Sequence, residues 1–266
     1  MRSVFQFDWA KSRALLSFLS HALQTCVISR TIERMATATS VRARVRAELV
    51  DEIKEAARRQ LAVEGASGLS LRAVAREVGL VSSAVYRYFP SRDDLLTALI
   101  IDAYNAVGQA AETADASCRK PDIEKRWMST CRAIRAWSAA NLQEYGLVYG
   151  TPVPEYRAPE DTIGPATRVT AVLVGIIRDG LELGLITEQS GEEPIPRAVR
   201  AELGFVREFF GGTGSDDLLV RSLIAWTHLF GAISFELFGH RVGTVSSSDA
   251  FFDHEMRRIA RFVGLS

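Results

Sequence analysis

The run from Ser70 to Phe89 constrains the fold of this chain more than any other part of its sequence. Ser70 is a candidate N-cap for a short helix, and Gly79 stands just past the end of that helix, where a left-handed residue is usual. Ser82 is a candidate cap for a second short helix, residues 83–89, which Pro90 stops. The apolar side chains expected to fix the two helices against each other are Val74, Ala75, Val78, Val85, Phe89 and Leu95.

Helical patterns flank this unit on both sides. Upstream, apolar residues recur every four positions, which predicts an amphipathic helix that ends at Gly65 and Gly68. Downstream, Ser91-Arg92-Asp93-Asp94 makes a capping-box-like start for a long helix. Two short helices joined by a Gly-containing turn form a helix-turn-helix, whose second helix enters the major groove of DNA. The upstream stripe consists of Val45, Leu49, Ile53, Ala57 and Leu61.

The segment Leu69 to Leu96, LSLRAVAREVGLVSSAVYRYFPSRDDLL, resembles the DNA-binding motif of the tetracycline-repressor (TetR) family. The resemblance covers about 55 residues, 42–96, and depends on Ala75, Gly79, the block Tyr86-Arg87-Tyr88-Phe89, and Ser91-Arg92 followed by acidic residues and two leucines. It implies an all-α regulator with a three-helix DNA-binding head and a larger helical body that binds a ligand and forms a dimer.

The resemblance also implies roles for single side chains. Arg87 is expected to read a guanine edge with a bidentate pair. Tyr86 and Tyr88 are expected to donate hydroxyls to phosphates, and Ser91 and Arg92 to lie beside a phosphate at a helix start. Arg72 is expected to reach a base or a phosphate. For Arg72 and Arg92 the alternative is a solvated surface charge. The groove floor is expected to be faced by Ser82, Ser83, Ala84 and Arg87.

The charge distribution agrees with a single nucleic-acid surface. The formal net charge of the chain is zero, but residues 1–95 carry 15 Lys and Arg against 10 Asp and Glu, and residues 96–266 carry 17 against 22. A basic N-terminal third and an acidic remainder fit one part that contacts DNA and another with a different task.

Beyond Pro90 the apolar periodicity predicts helices almost throughout. A proline-rich linker interrupts them between Tyr145 and Pro165, and the Gly-rich run Phe210 to Asp217 lacks the features of a phosphate loop. We expect three regions: an N-terminal extension, 1–34; a helix-turn-helix domain, 35–95; and a helical body, 96–266. The predicted body helices after the first are Asp122–Tyr145, Val169–Leu181, Arg197–Phe210, Leu218–Phe238 and Ser248–Val263.

The segment Leu218 to Phe238 is apolar on every side, so it must be buried on every side. Three polar residues within it, Arg221, His228 and Glu236, argue against a lipid span. Burial on the far side then most simply means a second subunit. The segment also partly resembles a branch of the family with a late Trp-x-x-x-His-Gly signature, here Trp226 and Phe230-Gly231 with His228 displaced. The residues predicted at the homodimer interface are Trp226, Phe230, Phe235 and Phe252.

Aromatic residues are frequent around the proline-rich linker, which predicts a pocket for an apolar effector of unknown identity. The linker, Gly150 to Pro165, is stiffened by its prolines and is expected to form a wall or lid of that pocket. The alternative is that these rings only fill the core. The predicted ligand-binding residues are Trp127, Trp137, Tyr145 and Tyr149, with Phe205 nearby.

The first 34 residues differ from the rest, with an apolar content that charged residues interrupt. They include no run of the roughly 20 apolar residues that a membrane helix needs. Our preferred interpretation is that Met35 is the true start. The alternative is a short amphipathic helix that packs on the body or on a membrane surface.

No enzyme signature is found in the sequence: neither a Walker loop, nor a nucleophile elbow, nor a dinucleotide fingerprint. The three cysteines and four histidines lack disulfide or metal-ligand spacing, so no metal or cofactor is expected, and a cytoplasmic location fits. The sequence therefore predicts a dimeric repressor that leaves a pseudo-palindromic operator when an effector binds. The alternative is a constitutive or architectural DNA-binding protein without a ligand.

Overall fold

A computed structural model describes residues 41–186 and 193–265 of the chain. Throughout these ranges the regular structure is helical, which confirms the all-α prediction. The N-terminal extension and the interpretation of Met35 lie outside the described residues. The elements are α1 (41–68), α2 (Leu71–Glu77), α3 (Ser82–Val85), α4 (Arg92–Ala116), α5 (Ile123–Ala140), α6 (Leu142–Tyr149), a 3-10 turn (Glu160–Thr162), α7 (Ile163–Glu182), α8 (Arg197–Glu202), α9 (Gly204–Phe209), α10 (Asp216–Leu237) and α11 (Ser248–Val263).

The chain divides into two compact units, Met1–Ile53 and Lys54–Ser266. Of the first unit the structure describes residues 41–53, which form the first half of α1. Every contact reported below lies within the second unit. The predicted domain limits, 35–95 and 96–266, stay predictions.

The turn between α2 and α3 is built as the sequence predicts. The Ser70 side chain accepts a hydrogen bond from the backbone N–H of Ala73 at the start of α2. Gly79 has a φ of 70°, and the N–H of Leu80 then reaches the carbonyl oxygen of Ala75 over 2.8 Å. This left-handed closure ends α2 and redirects the chain into α3.

Helix α3 is shorter than predicted, because it ends at Val85 and residues 86–88 form a tighter turn. Its N-cap is Val81, without a side-chain cap bond, so the predicted capping role of Ser82 is wrong. The N–H of Arg87 bonds to the carbonyl oxygen of Ala84, an i to i−3 bond that tightens a last turn. Phe89 lies outside the helix, as expected of the residue directly before Pro90, because proline pushes that residue away from helical geometry.

The start of α4 confirms Ser91 as its predicted cap. Ser91 Oγ accepts a 3.1 Å hydrogen bond from the N–H of Asp94 and donates to its carboxylate over 2.6 Å. From there α4 runs for 25 residues to Ala116, burying Leu95, Leu96 and Leu99 on its inner face. Helix α4 therefore begins beside the helix-turn-helix and continues deep into the body.

Two helices predicted as continuous are broken. The first break is at Asn141, whose side-chain amide and backbone N–H both bond to the carbonyl oxygen of Trp137 and so end α5. The second is at Leu203, between α8 and α9, where a buried side chain anchors the chain. By contrast, α11 has the predicted limits, Ser248–Val263.

The core of the body lies between α4, α5, α7, α10 and α11. The Trp127 indole N–H donates a 3.1 Å hydrogen bond to the carbonyl oxygen of Met256, joining α5 to α11. Phe252 is fully buried in the same core, beneath the guanidinium of Arg135 at 5.0 Å. Phe252 therefore lies inside the chain and not on the surface where an interface residue was expected, because the apolar face of α11 packs inward.

Within the described ranges α10 is the one helix whose length and apolar composition would suffice to cross a membrane. It instead contributes to the core, since 44% of its most apolar window is buried in this chain. Leu219, Leu229 and Ile233 make up its inward side. The outward side of α10 is described with the candidate sites below.

Candidate nucleic-acid interface and ligand cavity

The outer face of the second helix-turn-helix element is formed by Ser83, Tyr86 and Arg87, all exposed. Their i, i+3, i+4 spacing puts the three side chains on one side of α3 and its final turn. Val85, on the opposite side, is fully buried. The apolar anchor thus fixes the element while a hydroxyl, a phenol and a guanidinium point outward.

The other side chains predicted to contact DNA occupy more varied positions. Ser82, Ala84 and Tyr88 are half-buried, and Arg72 on α2 is exposed. Exposure leaves Arg72 able to contact either a base or a phosphate. Ser82 and Ala84 are therefore less accessible to DNA than Ser83.

Arg92 is already engaged in the structure. Its guanidinium donates a 2.7 Å hydrogen bond to the carbonyl oxygen of Ala66 and lies 3.3 Å from the carboxylate of Asp93. Ser91 is likewise occupied by the cap of α4. Both side chains therefore stabilise the fold, Ser91 as the cap of α4 and Arg92 through its bond to Ala66. Their contacts with phosphate stay predictions.

Long-range polar contacts hold the recognition unit against α1. The Arg59 guanidinium lies 2.6 Å from the Glu77 carboxylate at the end of α2. Gln60 Oε1 accepts a 2.8 Å hydrogen bond from the N–H of Ser70. Sequence reasoning missed these positioning residues, because pairs far apart in the chain leave no local pattern.

An apolar cavity of about 220 Å³ lies between α5, α7, α9 and α10. Trp127, which was predicted to bind the ligand, lines this cavity, and so does Phe205, which was expected nearby. Trp226, which was predicted at the dimer interface, also lines the cavity. Three hydroxyl side chains also reach it, and the lining contains no charged residue. The lining residues are Trp127, Thr167, Thr170, Leu173, Val174, Ile177, Phe205, Val206, Phe209, Phe210, Ser222, Leu223 and Trp226.

The remaining predicted ligand residues lie outside this cavity. Tyr145 is buried and donates a 3.1 Å hydrogen bond to the carbonyl oxygen of Phe230, and Tyr149 stacks on the Phe230 ring at 4.1 Å between centroids. Burial raises the pKa of both tyrosine hydroxyls, so they stay protonated donors at neutral pH. Trp137 is half-buried and packs against the core.

The proline-rich linker forms part of a second cavity, of about 410 Å³, against α4 and α7. Pro152, Val153 and Tyr156 face Ile100 and Tyr104 there. A 2.9 Å hydrogen bond joins the hydroxyls of Tyr156 and Thr97, which ties the linker to the first half of α4. The linker therefore forms a cavity wall, although not the wall of the apolar cavity that contains Trp127.

The outward side of α10 exposes large apolar side chains. Phe235 is 56% exposed and Ile224 48%, whereas Phe230 is only 7% exposed. Gly231 lies on the same side of α10 between Ile224 and Phe235. A Cβ atom built on Gly231 would have no neighbouring atom within 4 Å, so the space outside this glycine is open. This outward side, the α10 apolar face, consists of Leu223, Ile224, Gly231, Phe235 and Phe238.

The fold and the outward-facing α3 side chains define a helix-turn-helix protein that regulates transcription. A model of the bacterial regulatory proteins of the tetR family matches residues 53–99, and a tetracyclin repressor-like C-terminal domain model matches residues 127–259. The chain belongs to the TetR family of transcriptional regulators, as the sequence resemblance implied.

Curated and solved relatives agree with this assignment. The chain is 38% identical over 218 residues to the HTH-type transcriptional regulator Rv1816 of Mycobacterium tuberculosis, covering 80% of this chain and 91% of that one. It superposes on the crystal structure of the regulatory protein SCO4313 with a TM-score of 0.68 and 34% identity, over 82% and 97% of the two chains. A tetR-family regulator from Rhodococcus RHA1 shares the fold, with a TM-score of 0.55 and 20% identity over 81% and 96% of the chains.

Proposed function

We propose that this regulator is a cytoplasmic repressor, which binds a pseudo-palindromic operator as a homodimer and leaves it when a small apolar effector binds in the body. Regulators of the TetR family bind DNA and act as dimers. The observation that carries the proposal is the outward row of Ser83, Tyr86 and Arg87 on α3 and the turn that follows it, anchored by the buried Val85. Arg87 supplies the bidentate donor that favours guanine, and Tyr86 supplies a phosphate contact.

The α10 apolar face supports the homodimer. A patch of exposed aromatic and aliphatic side chains on one helix is typical of a surface that another protein covers. A two-fold axis places the same patch on both subunits, so the α10 faces of two copies match each other. Gly231, in the middle of the face, lets two helix backbones approach closely.

Release follows from the spacing of the two heads. Two recognition helices must lie about 34–36 Å apart to enter successive major grooves. An effector weakens operator binding if it has a higher affinity for a dimer in which the heads are spaced differently. The loss of operator affinity cannot exceed the difference between the effector's affinities for the two forms of the dimer. The apolar cavity between body helices and the linker cavity against α4 and α7 are the places where such an effector fits.

Selection of bound DNA from a random pool tests the reading role. We expect the wild-type chain to select two half-sites related by a two-fold axis. Arg87→Ala should lose about 1–3 kcal/mol of discrimination at one base step in each half-site while other positions keep their preference. Arg178→Ala, a matched exposed arginine on α7 that pairs with Glu182, should leave the selected sequence unchanged. An unchanged selection by Arg87→Ala would reject Arg87 as the reading residue.

A second measurement separates this function from a constitutive DNA-binding protein. Apolar compounds that raise the unfolding temperature are added to the protein on its selected operator. Under the proposed function at least one of them lowers operator affinity. Compounds that bind without ever lowering that affinity would favour the constitutive alternative.

A further inference from the structure

The chemistry of the apolar cavity restricts what it can bind. Its walls come from four helices, and aromatic rings from α5, α9 and α10 are among the lining side chains. The Trp127 N–H is engaged with the carbonyl oxygen of Met256, so Trp127 offers the cavity a ring and no free donor. An ionised ligand would lose its hydration here without gaining a partner of opposite charge. The free-energy cost of burying such a charge is far larger than that of burying a neutral ligand.

Two of the three hydroxyls that line the cavity, those of Ser222 and Thr167, already donate their protons within the chain, while the third is that of Thr170. Ser222 Oγ donates a 2.7 Å hydrogen bond to the carbonyl oxygen of Leu218, and Thr167 Oγ1 donates a 2.8 Å hydrogen bond to that of Gly164. A hydroxyl has one donor and two lone pairs, so each of these oxygens keeps acceptor capacity after its proton is committed. Ser222 and Thr167 therefore present acceptors to a ligand, and the complementary ligand group is an O–H or N–H donor.

The volume sets the size of the ligand. An apolar protein cavity of about 150 Å³ accommodates a benzene molecule. About 220 Å³ therefore holds one ring with a short aliphatic chain. Three of the lining residues, Phe205, Leu223 and Trp226, are exposed large apolar side chains, so a molecule that approaches the cavity from solvent past them meets an apolar surface, which also favours an uncharged molecule.

We infer that the cavity between α5, α7, α9 and α10 binds a small uncharged alcohol or phenol, whose ring or chain packs on Trp127 and Phe209 and whose hydroxyl donates to Ser222 or Thr167. This inference rests on the proposed function, in which an effector controls operator binding, and it names the chemical class of that effector. Carboxylates of the same size and shape are excluded.

Three compounds of matched shape test this class by isothermal titration calorimetry at pH 7 on the full chain: 4-propylphenol, propylbenzene and 4-propylbenzoate. The phenol should bind about three- to tenfold more tightly than propylbenzene, the contribution of one net hydrogen bond. The benzoate should bind at least about a hundredfold more weakly than the phenol, because its charge has no partner in the cavity.

A matched pair of variants places the binding in this cavity. Ser222→Ala should reduce the advantage of the phenol over propylbenzene. Ser138→Ala removes a buried hydroxyl with the same kind of bond, 2.8 Å to the carbonyl oxygen of Ile134, but outside the cavity, and should leave that advantage unchanged. Thermal unfolding without compound checks that both variants fold.

Several results would overturn the inference: equal binding of phenol and benzoate, no binding of any of the three, or an equal loss in both serine variants. Operator affinity measured without any compound tests the proposed function separately. A chain that binds its operator but none of the compounds would reject the ligand class alone. A chain that binds the phenol but no operator would reject the repressor alone.

Discussion

The Arg92 guanidinium, in the first turn of α4, donates a 2.7 Å hydrogen bond to the carbonyl oxygen of Ala66, in the last turn of α1. Carbonyl oxygens in a last helical turn lack partners within their own helix. Arg92 satisfies one of them with a charged donor and so joins two helices that border the recognition unit. This hydrogen bond stabilises the folded chain whether or not Arg92 also contacts DNA.

Replacement of Arg92 by alanine should therefore have two effects. The free energy of unfolding should fall by about 1 kcal/mol, because the Ala66 carbonyl loses its charged donor at a partly exposed site. If Arg92 also contacts a phosphate, the salt dependence of operator affinity should become shallower by about one unit. Arg92→Lys, which keeps the charge but not the planar donor set, should keep the salt dependence and lose part of the stability. Urea unfolding and affinity titrations at several salt concentrations measure both, and an Arg92→Ala chain as stable as the wild type would contradict the structural role.

Two glycine-to-alanine changes should have opposite signs. Gly79 has a φ of 70°, which costs an alanine roughly 1 kcal/mol although the space around it is open. Gly175 lies within α7 with nothing within 4 Å of an added Cβ, so Gly175→Ala should stabilise the chain by about 0.5–1 kcal/mol. Chemical denaturation compares the two, and equal effects would show that the closure after α2 does not require a left-handed residue.

The proposed dimer face predicts a change in oligomeric state. Phe235→Arg places a charge on an exposed position of α10, so the single chain should stay folded while the paired faces separate. The monomer should bind operator DNA weakly, since one head contacts one half-site. Val199→Arg, a matched change of an exposed apolar residue on α8, should stay dimeric in analytical ultracentrifugation.

Phe230 is unsuitable for this test because it is buried and its loss would unfold the core. A dimeric Phe235→Arg chain would place the interface elsewhere.

The ion pair between Arg132 and Asp253 predicts an acid-sensitive part of the stability. Hydrogen bonds from Arg132, at 2.8 and 2.6 Å, lower the pKa of the Asp253 carboxyl below its usual value. A lowered folded-state pKa contributes stability that is present above the unfolded pKa of about 3.9 and is lost as the pH falls through the folded pKa. Urea unfolding between pH 6 and pH 2 should show a smaller acid loss for Asp253→Asn than for the wild type. Identical pH profiles would show that this pair contributes nothing.

The sequence predicts local features well in this chain. The Ser70 cap, the left-handed Gly79 and the Ser91 cap each depend on a few neighbouring residues, and all three are confirmed. The Ser82 cap is the local prediction that is wrong. The break at Asn141 was missed, because the helical periodicity of the sequence continues across it. Only the two hydrogen bonds from Asn141 to the carbonyl oxygen of Trp137 reveal where the helix ends.

Side-chain assignments in the body were harder to predict. Periodicity shows which residues face inward, but not where the packed faces leave a gap. Trp127 lines the apolar cavity, whereas Tyr145, an equally aromatic residue on the next helix, fills the core. The lining hydroxyls Thr167 and Ser222 gave no signal, since small polar residues are common on helices of every kind.

The ties between α1 and α4 also have a mechanical consequence. Besides the bond from Arg92 to Ala66, Asp102 of α4 accepts hydrogen bonds from Lys54 at 3.1 Å and Arg58 at 2.9 Å on α1. Two attachment points ten residues apart on α4 prevent the second half of α1, residues 54–68, from pivoting about either one. Helix α4 is about 37 Å long, so a tilt of about 5° about its far end would move the end beside the recognition unit by about 3 Å. Under the proposed function, a small displacement caused by an effector in the body would thus be larger at the DNA-binding end of α4, and the second half of α1 would turn with it.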